Sequence, residues 1–421
     1  MGDINDPPSR QRMRTLLRLV MLVALYAVPI LTAVRPIAEP VLDPDLWWHL
    51  RAGQWICEHR AVPVNDPFSQ YGQDKPWVAY SWLFEVMLFG LYSCLGLAGA
   101  IVYRALLSLA VTAALHRLVA RREPRFLVAV ALTGIGLLAV SVLFDERPWL
   151  FTILFTILTL DVVLDLRDGR PNGLLWLLPA VYALWANLHI QYVYGLAVLA
   201  LACVAPAVDR LLDRKEPGES AASLGSVGWR RLLLLTNLCL LATLLNPYHI
   251  RIYFVVVEYA AQPGPFNLIN ELKALEFRGP YDWVTLALAL AGAYALGRRK
   301  SASSFDFLLL AGSSFCAFRE RRDLWFVVAA SLAILASGPK APVRDAQRFH
   351  WTPLLRVIWA AALAALAAFM VWRTDLSEER LQRTVAERFP AGAADFVLKQ
   401  GFSGPIYNHL NWGGYLIWRW P

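Results

Sequence analysis

The chain has 421 residues, of which 57% are hydrophobic and only 17% are charged, whereas an ordinary soluble domain carries about 25% charged residues. The mean hydropathy is +0.45 and long apolar blocks recur along the chain, which excludes a soluble, fibrous or disordered protein and indicates an all-α polytopic membrane protein. Basic cytoplasmic loops explain the net charge of +8, so no nucleic-acid partner is expected.

The apolar blocks predict about eleven transmembrane helices. The first block follows a polar, arginine-containing N-terminus and is too long for the apolar region of a signal peptide. We therefore expect it to be retained, with the N-terminus in the cytoplasm and the C-terminus outside. The predicted spans are 15–34, 97–120, 126–144, 149–166, 173–187, 192–209, 231–247, 283–297, 305–318, 324–337 and 353–372.

A further apolar block, 77–95, is expected not to cross the membrane. If it crossed together with 97–120, then Arg121, Arg122 and Arg125 would lie outside, against the positive-inside rule. The block is therefore predicted to be a juxtamembrane helix along the outer interface.

Three segments are expected on the exterior face. They are the first loop at 35–96, the loop at 248–282 and the tail at 373–421, and the transmembrane domain is expected to cover 1–372. In the tail, an amphipathic stretch precedes strand-like residues at 404–407 and 413–417. This pattern predicts a short α/β segment that is cut off within a domain.

Two carboxylates a residue apart, Asp43 and Asp45, stand in the first exterior loop, and two tryptophans and His49 follow them. In one interpretation Asp43 caps the helix that begins near Pro44. In the other, the pair supplies a catalytic base or binds a divalent cation, Mg²⁺ or Mn²⁺, at the membrane surface. His49 is a further candidate of the same motif.

Basic side chains mark a candidate phosphate site. Asp74 and Lys75 lie further along the first loop, where the lysine either reaches lipid headgroups or meets a phosphate. Arg319, Arg321 and Arg322 stand at the predicted exterior end of the ninth span, against the positive-inside rule. They either pair with neighbouring acids at the surface or bind a lipid-linked phosphate, whose oxygens match the guanidinium fork.

Three other polar residues are candidates because of where they stand. Arg104 lies within the second predicted span, where a charge normally faces the bundle interior or a cavity, so it is a further candidate for binding the donor phosphate. The sequence shows no acidic partner for it at matching depth. Asp145 is part of an exterior corner after the third span. His189 lies in a very short hairpin, so it is either a structural residue or part of a cavity lining.

From about residue 15 to residue 125, this order of features resembles the GT-C superfamily of membrane glycosyltransferases. The resemblance is to the branch of the protein O-mannosyltransferases and the lipid A aminoarabinose transferase. Those enzymes place an acidic motif after the first span, then juxtamembrane helices, then a long span with an early arginine. Here Asp43 and Asp45, the predicted helices of the first loop, and Arg104 follow in that order.

Two further positions are similar to the aminoarabinose branch and one departs from the family. The stretch 74–76 resembles an acidic-Lys-Pro motif in which the lysine, here Lys75, meets the lipid phosphate. Asp145 is placed like an acidic residue of that branch. The residue after Asp45 is Leu46, where the family often has a second acidic residue, so metal dependence is not implied.

The resemblance implies a GT-C-like fold and an inverting transfer of a sugar from a polyprenyl-phosphate donor to an acceptor hydroxyl. The reaction would take place on the exterior face of a bacterial inner membrane, in contact with membrane lipids. Asp45 would deprotonate the acceptor, and Lys75 with Arg319, Arg321 and Arg322 would stabilise the departing phosphate. No nucleotide is expected, because the chain has neither a P-loop nor a glycine-rich dinucleotide motif.

Two other functions compete with this one. A transporter or flippase of lipid-linked sugars should show paired charges at mid-membrane depth and symmetric halves, and the sequence shows neither. A non-catalytic membrane scaffold would act through the exterior tail.

Overall fold

The computed structural model describes residues 8–34, 43–69, 72, 75–212, 226–261, 264, 269–299, 302–338 and 351–420. Across these ranges the secondary structure is helical, and the β-type pairing is limited to an isolated bridge between Asn65 and Pro76. The described residues therefore confirm the prediction of an all-α protein.

The helices are numbered α1 to α17 in chain order. They are α1 (Pro8–Val34), α2 (Leu46–His59), α3 (Trp82–Leu95), α4 (Ala98–Ala120), α5 (Phe126–Val140), α6 (Trp149–Arg167), α7 (Leu178–Leu188), α8 (Val193–Leu211), α9 (Ser226–Ala242), α10 (Arg251–Ala261), α11 (Pro280–Gly297), α12 (Ser304–Arg319), α13 (Leu324–Ala336), α14 (Pro353–Thr374), α15 (Glu378–Arg388), α16 (Ala391–Gln400) and α17 (Gly413–Arg419).

Six helical segments of the described chain are long and apolar enough to cross a membrane. They are Ser9–Val34, Ala98–Ala120, Phe126–Leu143, Trp149–Arg167, Ile190–Leu211 and Pro353–Thr374. Each coincides with a predicted span, which agrees with a multi-pass membrane protein. The other predicted spans coincide with α7, α9, α11, α12 and α13, which are shorter or less apolar, so the total of about eleven stays a prediction.

Helix α13 forms the centre of the bundle. Of its residues, all but Leu335 are buried, and it packs against α5, α11 and α12. A helix that is apolar on every side is a core helix. It also holds in place the short 3₁₀ turn Arg321–Asp323 that directly precedes it.

Helices α2 and α3 pack closely against each other. A Cβ atom added at Gly53 would lie 2.1 Å from the backbone oxygen of Glu85, so the glycine allows the two helices to touch. Helix α3 has 14 residues and is thus about 21 Å long, shorter than the roughly 30 Å hydrocarbon core. Helices α7 and α13, which coincide with predicted spans, are shorter still, so the juxtamembrane position expected for 77–95 stays a prediction.

The described residues of the tail form helices and irregular segments but no strand, so the predicted α/β segment is not confirmed. Residues 413–417, predicted as strand-like, belong to α17, and residues 404–407 are irregular. Burial decides the helical state: Tyr415 and Phe389 both contact the ring of Trp47 in α2, with ring centroids 5.1 and 5.5 Å from it. The tail therefore packs on the first loop. The proposed domain boundary after residue 372 stays a prediction.

Candidate active site

Asp43 and Asp45 lie in the turn that leads into α2. The Asp43 side chain accepts a hydrogen bond from the Asp45 backbone N–H at 2.8 Å, so it stabilises this turn. The N-cap residue of α2 is Asp45, whose side chain makes no capping hydrogen bond, so Asp43 supports the turn before the helix rather than the helix end itself. Its other oxygen lies 2.7 Å from Nε of Arg147. The Asp43 side chain is thus buried and uses both oxygens, whereas the Asp45 side chain is 43% exposed.

Arg147 joins three carboxylates from two distant segments. Besides Asp43, its Nη1 contacts Asp45, and its Nη2 lies 3.3 Å from Glu271. We call these four residues the arginine clamp. Burial alone would lower the pKa of Arg147, but the three carboxylates outweigh it and raise that pKa, so the guanidinium remains charged.

Arg104 lies behind the clamp and has an acidic partner. Its Nη1 is 3.1 Å from Oε1 of Glu146, and both side chains are buried; it also donates to the backbone carbonyl of Ala33. The expectation that Arg104 lacks an acidic partner is therefore wrong, because the corner after α5 supplies one. In the same corner, burial and then the charge of Asp43 raise the pKa of Asp145 well above its usual range.

A cavity of about 170 Å³ contains three of the predicted candidates, Arg319, Arg322 and His189. Three tyrosines and two cationic side chains line it, and hydrogen-bond donors of these types suit an anion. Arg321 does not line it. The lining residues are Tyr80, His189, Ile190, Gln191, Val193, Tyr194, Val256, Tyr259, Arg319, Glu320 and Arg322.

His189 contributes a neutral group to this cavity. Its Nδ1 lies 2.8 Å from Oγ1 of Thr152, which also accepts a hydrogen bond from the Trp185 ring N–H at 3.2 Å. Burial, followed by the nearby charge of Arg322, lowers the pKa of His189 well below its usual value. At neutral pH the imidazole is therefore uncharged and acts as a hydrogen-bonding group.

The loop that carries Glu271 links the clamp to the cavity. Glu271 contacts Arg147 on one side. Two residues later, the Lys273 carbonyl accepts a hydrogen bond of 2.8 Å from the backbone N–H of Arg321. Burial raises the pKa of Glu271, and the charges of Arg147 and Arg322 oppose this rise. The exterior loop predicted at 248–282 thus contacts both the arginine clamp, through Glu271, and the turn beside the cavity, through Lys273.

The other predicted candidates among the described residues lie outside the cavity lining. Nδ1 of His49 is 3.2 Å from a carboxylate oxygen of Glu85, and both side chains are buried; the imidazole also stacks with Trp48 at 5.3 Å. Lys75 is exposed in the first loop. Asp74 lies outside the described residues.

The arrangement of the clamp does not fit the divalent cation considered for Asp43 and Asp45. Among the described residues, no group of three or more His, Cys, Asp or Glu side chains is arranged to hold a metal ion. One oxygen of Asp43 contacts the Asp45 backbone N–H and the other contacts Arg147. Asp45 directs one of its oxygens at Arg147 as well. A metal ion would first have to displace the guanidinium.

Several residues of the site were not identified as candidates from the sequence. Among them are Arg147, Glu271, Tyr80, Tyr194 and Tyr259. Arg147 directly follows the acidic corner at 145–146, and its positive charge on the exterior side is a signal that would have identified it. No spacing or motif in the sequence distinguishes Glu271 or the three tyrosines.

Comparison with protein-family models finds no match, and comparison with curated proteins finds none either. Among solved structures, the chain is similar to the crystal structure of the apo oligosaccharyltransferase of Archaeoglobus fulgidus, with 13% sequence identity and a TM-score of 0.47. The similarity covers 96% of this chain, which spans 63% of the length of that protein. The activity, substrates and partners of the chain are therefore proposals.

Proposed function

We propose that the chain is an integral membrane glycosyltransferase that moves a sugar from a polyprenyl-phosphate donor to an acceptor hydroxyl. The observation that carries the proposal is a half-exposed carboxylate, Asp45, linked through the Glu271 loop to a cavity lined by Arg319 and Arg322. A base for the acceptor and cations for the leaving phosphate are what this transfer requires. The resemblance of residues 15–125 to the GT-C superfamily supports the same reaction.

Asp45 acts as the general base. Its carboxylate takes the proton of the acceptor hydroxyl while the hydroxyl oxygen attacks the anomeric carbon, and the bond from that carbon to the phosphate oxygen breaks. Attack opposite to the phosphate inverts the configuration of the anomeric carbon. Arg147 orients the Asp45 carboxylate through a charged hydrogen bond.

Arg319 and Arg322 stabilise the departing phosphate. Arg322 is held 3.5 Å from Glu320, and its side chain is 23% exposed. Its Nε is buried and has no hydrogen-bond partner in the described part of the chain, so this donor is available to a ligand. Lys75 and Arg321 do not line the cavity, and the proposal gives them no part in holding the phosphate.

The proposal places the site on the exterior face of a bacterial inner membrane. In that orientation, most basic segments between the predicted spans lie in the cytoplasm, and the arginines at 319–322 are on the exterior side. The polyprenyl chain of the donor then remains among membrane lipids, while its phosphate enters the cavity.

Native mass spectrometry of the protein in mild detergent tests the donor site. The wild type is expected to retain a polyprenyl phosphate or its glycosylated form, Arg322→Ala to lose it, and Lys75→Ala to retain it. The mass of the attached sugar identifies the donor. Absence of bound lipid, even with polyprenyl phosphate added in excess, or equal retention by Arg322→Ala would contradict the proposed site.

Transfer is then measured with the donor so identified. Asp45→Asn should lower the rate by about 10²–10⁴-fold, since it removes the general base, and should leave lipid binding intact. Asp395→Asn is the control, because Asp395 pairs with Arg419 at the surface of the tail. Full activity of Asp45→Asn would exclude this mechanism.

A further inference from the structure

The guanidinium of Arg147 occupies the point at which three carboxylates converge. Each of its three nitrogens faces a different one: Nε faces Asp43, Nη1 faces Asp45 and Nη2 faces Glu271. Clusters of carboxylate oxygens are the usual ligands of Mg²⁺, Mn²⁺ and Ca²⁺. In this chain the convergence point is filled by a side chain of the protein itself.

We propose that Arg147 is the resident cation of this site and replaces a divalent metal ion. This inference deepens the proposed function, on which its catalytic meaning rests. Arg147 is a positioning residue: it fixes the Asp45 carboxylate and joins it to the Glu271 loop. Because an arginine does not lose its proton in proteins, the charge at this point is independent of metal supply and of pH.

The packing around Arg147 fits a permanent role rather than an incidental contact. Its side chain is 14% exposed, and its guanidinium lies over the ring of Trp149 at 5.2 Å from the ring centroid. The Asp43 carboxylate that it contacts is also bonded to the Asp45 backbone N–H. Turn, carboxylate and guanidinium therefore hold one another in place.

As they stand, the three carboxylates are not arranged to hold a metal ion. Removal of the guanidinium leaves them facing one another with no counter-ion, so they should move together around a cation and form a metal site. Such a set matches the oxygen ligands that Mn²⁺ accepts. The wild type should lack this site, because the same oxygens are engaged by Arg147.

The test measures Mn²⁺ binding to the full chain in detergent. Electron paramagnetic resonance reports the concentration of free Mn²⁺. Wild type, Arg147→Met and Arg147→Gln are compared, and two neutral variants are used in case one fails to fold. Either neutral variant is expected to bind one Mn²⁺ at least tenfold more tightly than the wild type. Adding Glu271→Gln should weaken that binding at least tenfold.

The matched control is Arg299→Met. Arg299 follows the C-terminal end of α11 and pairs with Asp306 in α12, and its removal should produce no Mn²⁺ binding. Two results would overturn the proposal. One is Mn²⁺ binding by the wild type that is abolished by Glu271→Gln. The other is a folded Arg147→Met or Arg147→Gln variant that binds Mn²⁺ no better than the wild type. The Mn²⁺ measurement uses no sugar donor. Its outcome is therefore separate from that of the lipid-binding and transfer experiments, which test the proposed function.

Discussion

Arg104 and Glu146 form an ion pair of 3.1 Å in which both side chains are buried. The pair joins the start of α4 to the corner that precedes α6, and the Arg104 contact with the Ala33 carbonyl extends it to the end of α1. Arg104 was a candidate for binding phosphate, but it does not line the cavity. Its contacts indicate that it holds together the three helix ends that support the clamp.

Arg104→Met should therefore destabilise the protein rather than weaken lipid binding selectively. It leaves Glu146 buried without a counter-charge, which costs about 3–5 kcal/mol. The double variant Arg104→Met/Glu146→Leu should recover much of this loss, because no charge then remains buried. Thermal unfolding in detergent measures both effects, and equal stability of Arg104→Met and the wild type would contradict the assignment.

Asp323 should make stability depend on pH. Burial raises its pKa from 3.8 to about 7, against the opposing effects of Arg322 and of the Tyr194 hydroxyl that donates to it. A carboxyl whose pKa is higher in the folded state contributes stability that is complete below pH 4 and is lost as pH rises through about 7. A pKa that is about three higher in the folded state than in the unfolded state corresponds to about 4 kcal/mol of free energy of unfolding.

Asp323→Asn is expected to remove this dependence. Between pH 4 and pH 8, the unfolding temperature of the wild type should fall relative to that of the variant. The hydrogen bond from Tyr194 lowers the pKa of Asp323, so its loss in Tyr194→Phe should raise that pKa and extend the fall to higher pH. Parallel curves for wild type and Asp323→Asn would show that Asp323 does not titrate in this range.

Gly53→Ala and Gly90→Ala form a matched pair in the juxtamembrane helices. Exchange of glycine for alanine inside a helix normally stabilises it by about 0.5–1 kcal/mol. A Cβ at Gly90 meets nothing within 4 Å, whereas one at Gly53 meets the Glu85 carbonyl oxygen at 2.1 Å. Gly90→Ala should raise the unfolding temperature, and Gly53→Ala should lower it by overpacking that costs about 1–3 kcal/mol. The same sign for both variants would contradict the close approach of α2 and α3.

Trp47→Ala should destabilise the contact between the tail and α2. Trp47 is 1% exposed and contacts Phe389 and Tyr415, so its truncation should cost about 3–5 kcal/mol. Tyr407→Ala is the control, because Tyr407 is fully exposed and its loss should be nearly neutral. Limited proteolysis of the tail, together with thermal unfolding, distinguishes the two. Unchanged protease resistance in Trp47→Ala would argue against the contact.

Part of the site could be predicted from local sequence. Asp43 and Asp45 stand out because they follow an apolar span, and Arg319 and Arg322 because they contravene the positive-inside rule. Glu271 has no such signal: its partner Arg147 is 124 residues away in the chain, and only the packing of the helices between them brings the two together. Position along the chain therefore indicates candidate residues, but not their pairing.

The tail shows a different limit of prediction. At 413–417, glycine followed by aromatic and branched residues fits a strand as well as a helix over so short a stretch. The helix is favoured because it turns Tyr415 and Leu416 into buried positions. Local preference was too weak to decide, and a contact with α2, more than 350 residues earlier in the chain, decided instead.

The contact between the tail and α2 also bears on how the chain can be engineered. A cut or a fusion at the boundary after residue 372 would separate Trp47 from Phe389 and Tyr415, although the two sides belong to one interlocked unit. Gly414 tightens the unit further, since a Cβ there would lie 3.0 Å from the Pro44 carbonyl oxygen. Chimaeras with related chains should therefore exchange the first loop and the tail together.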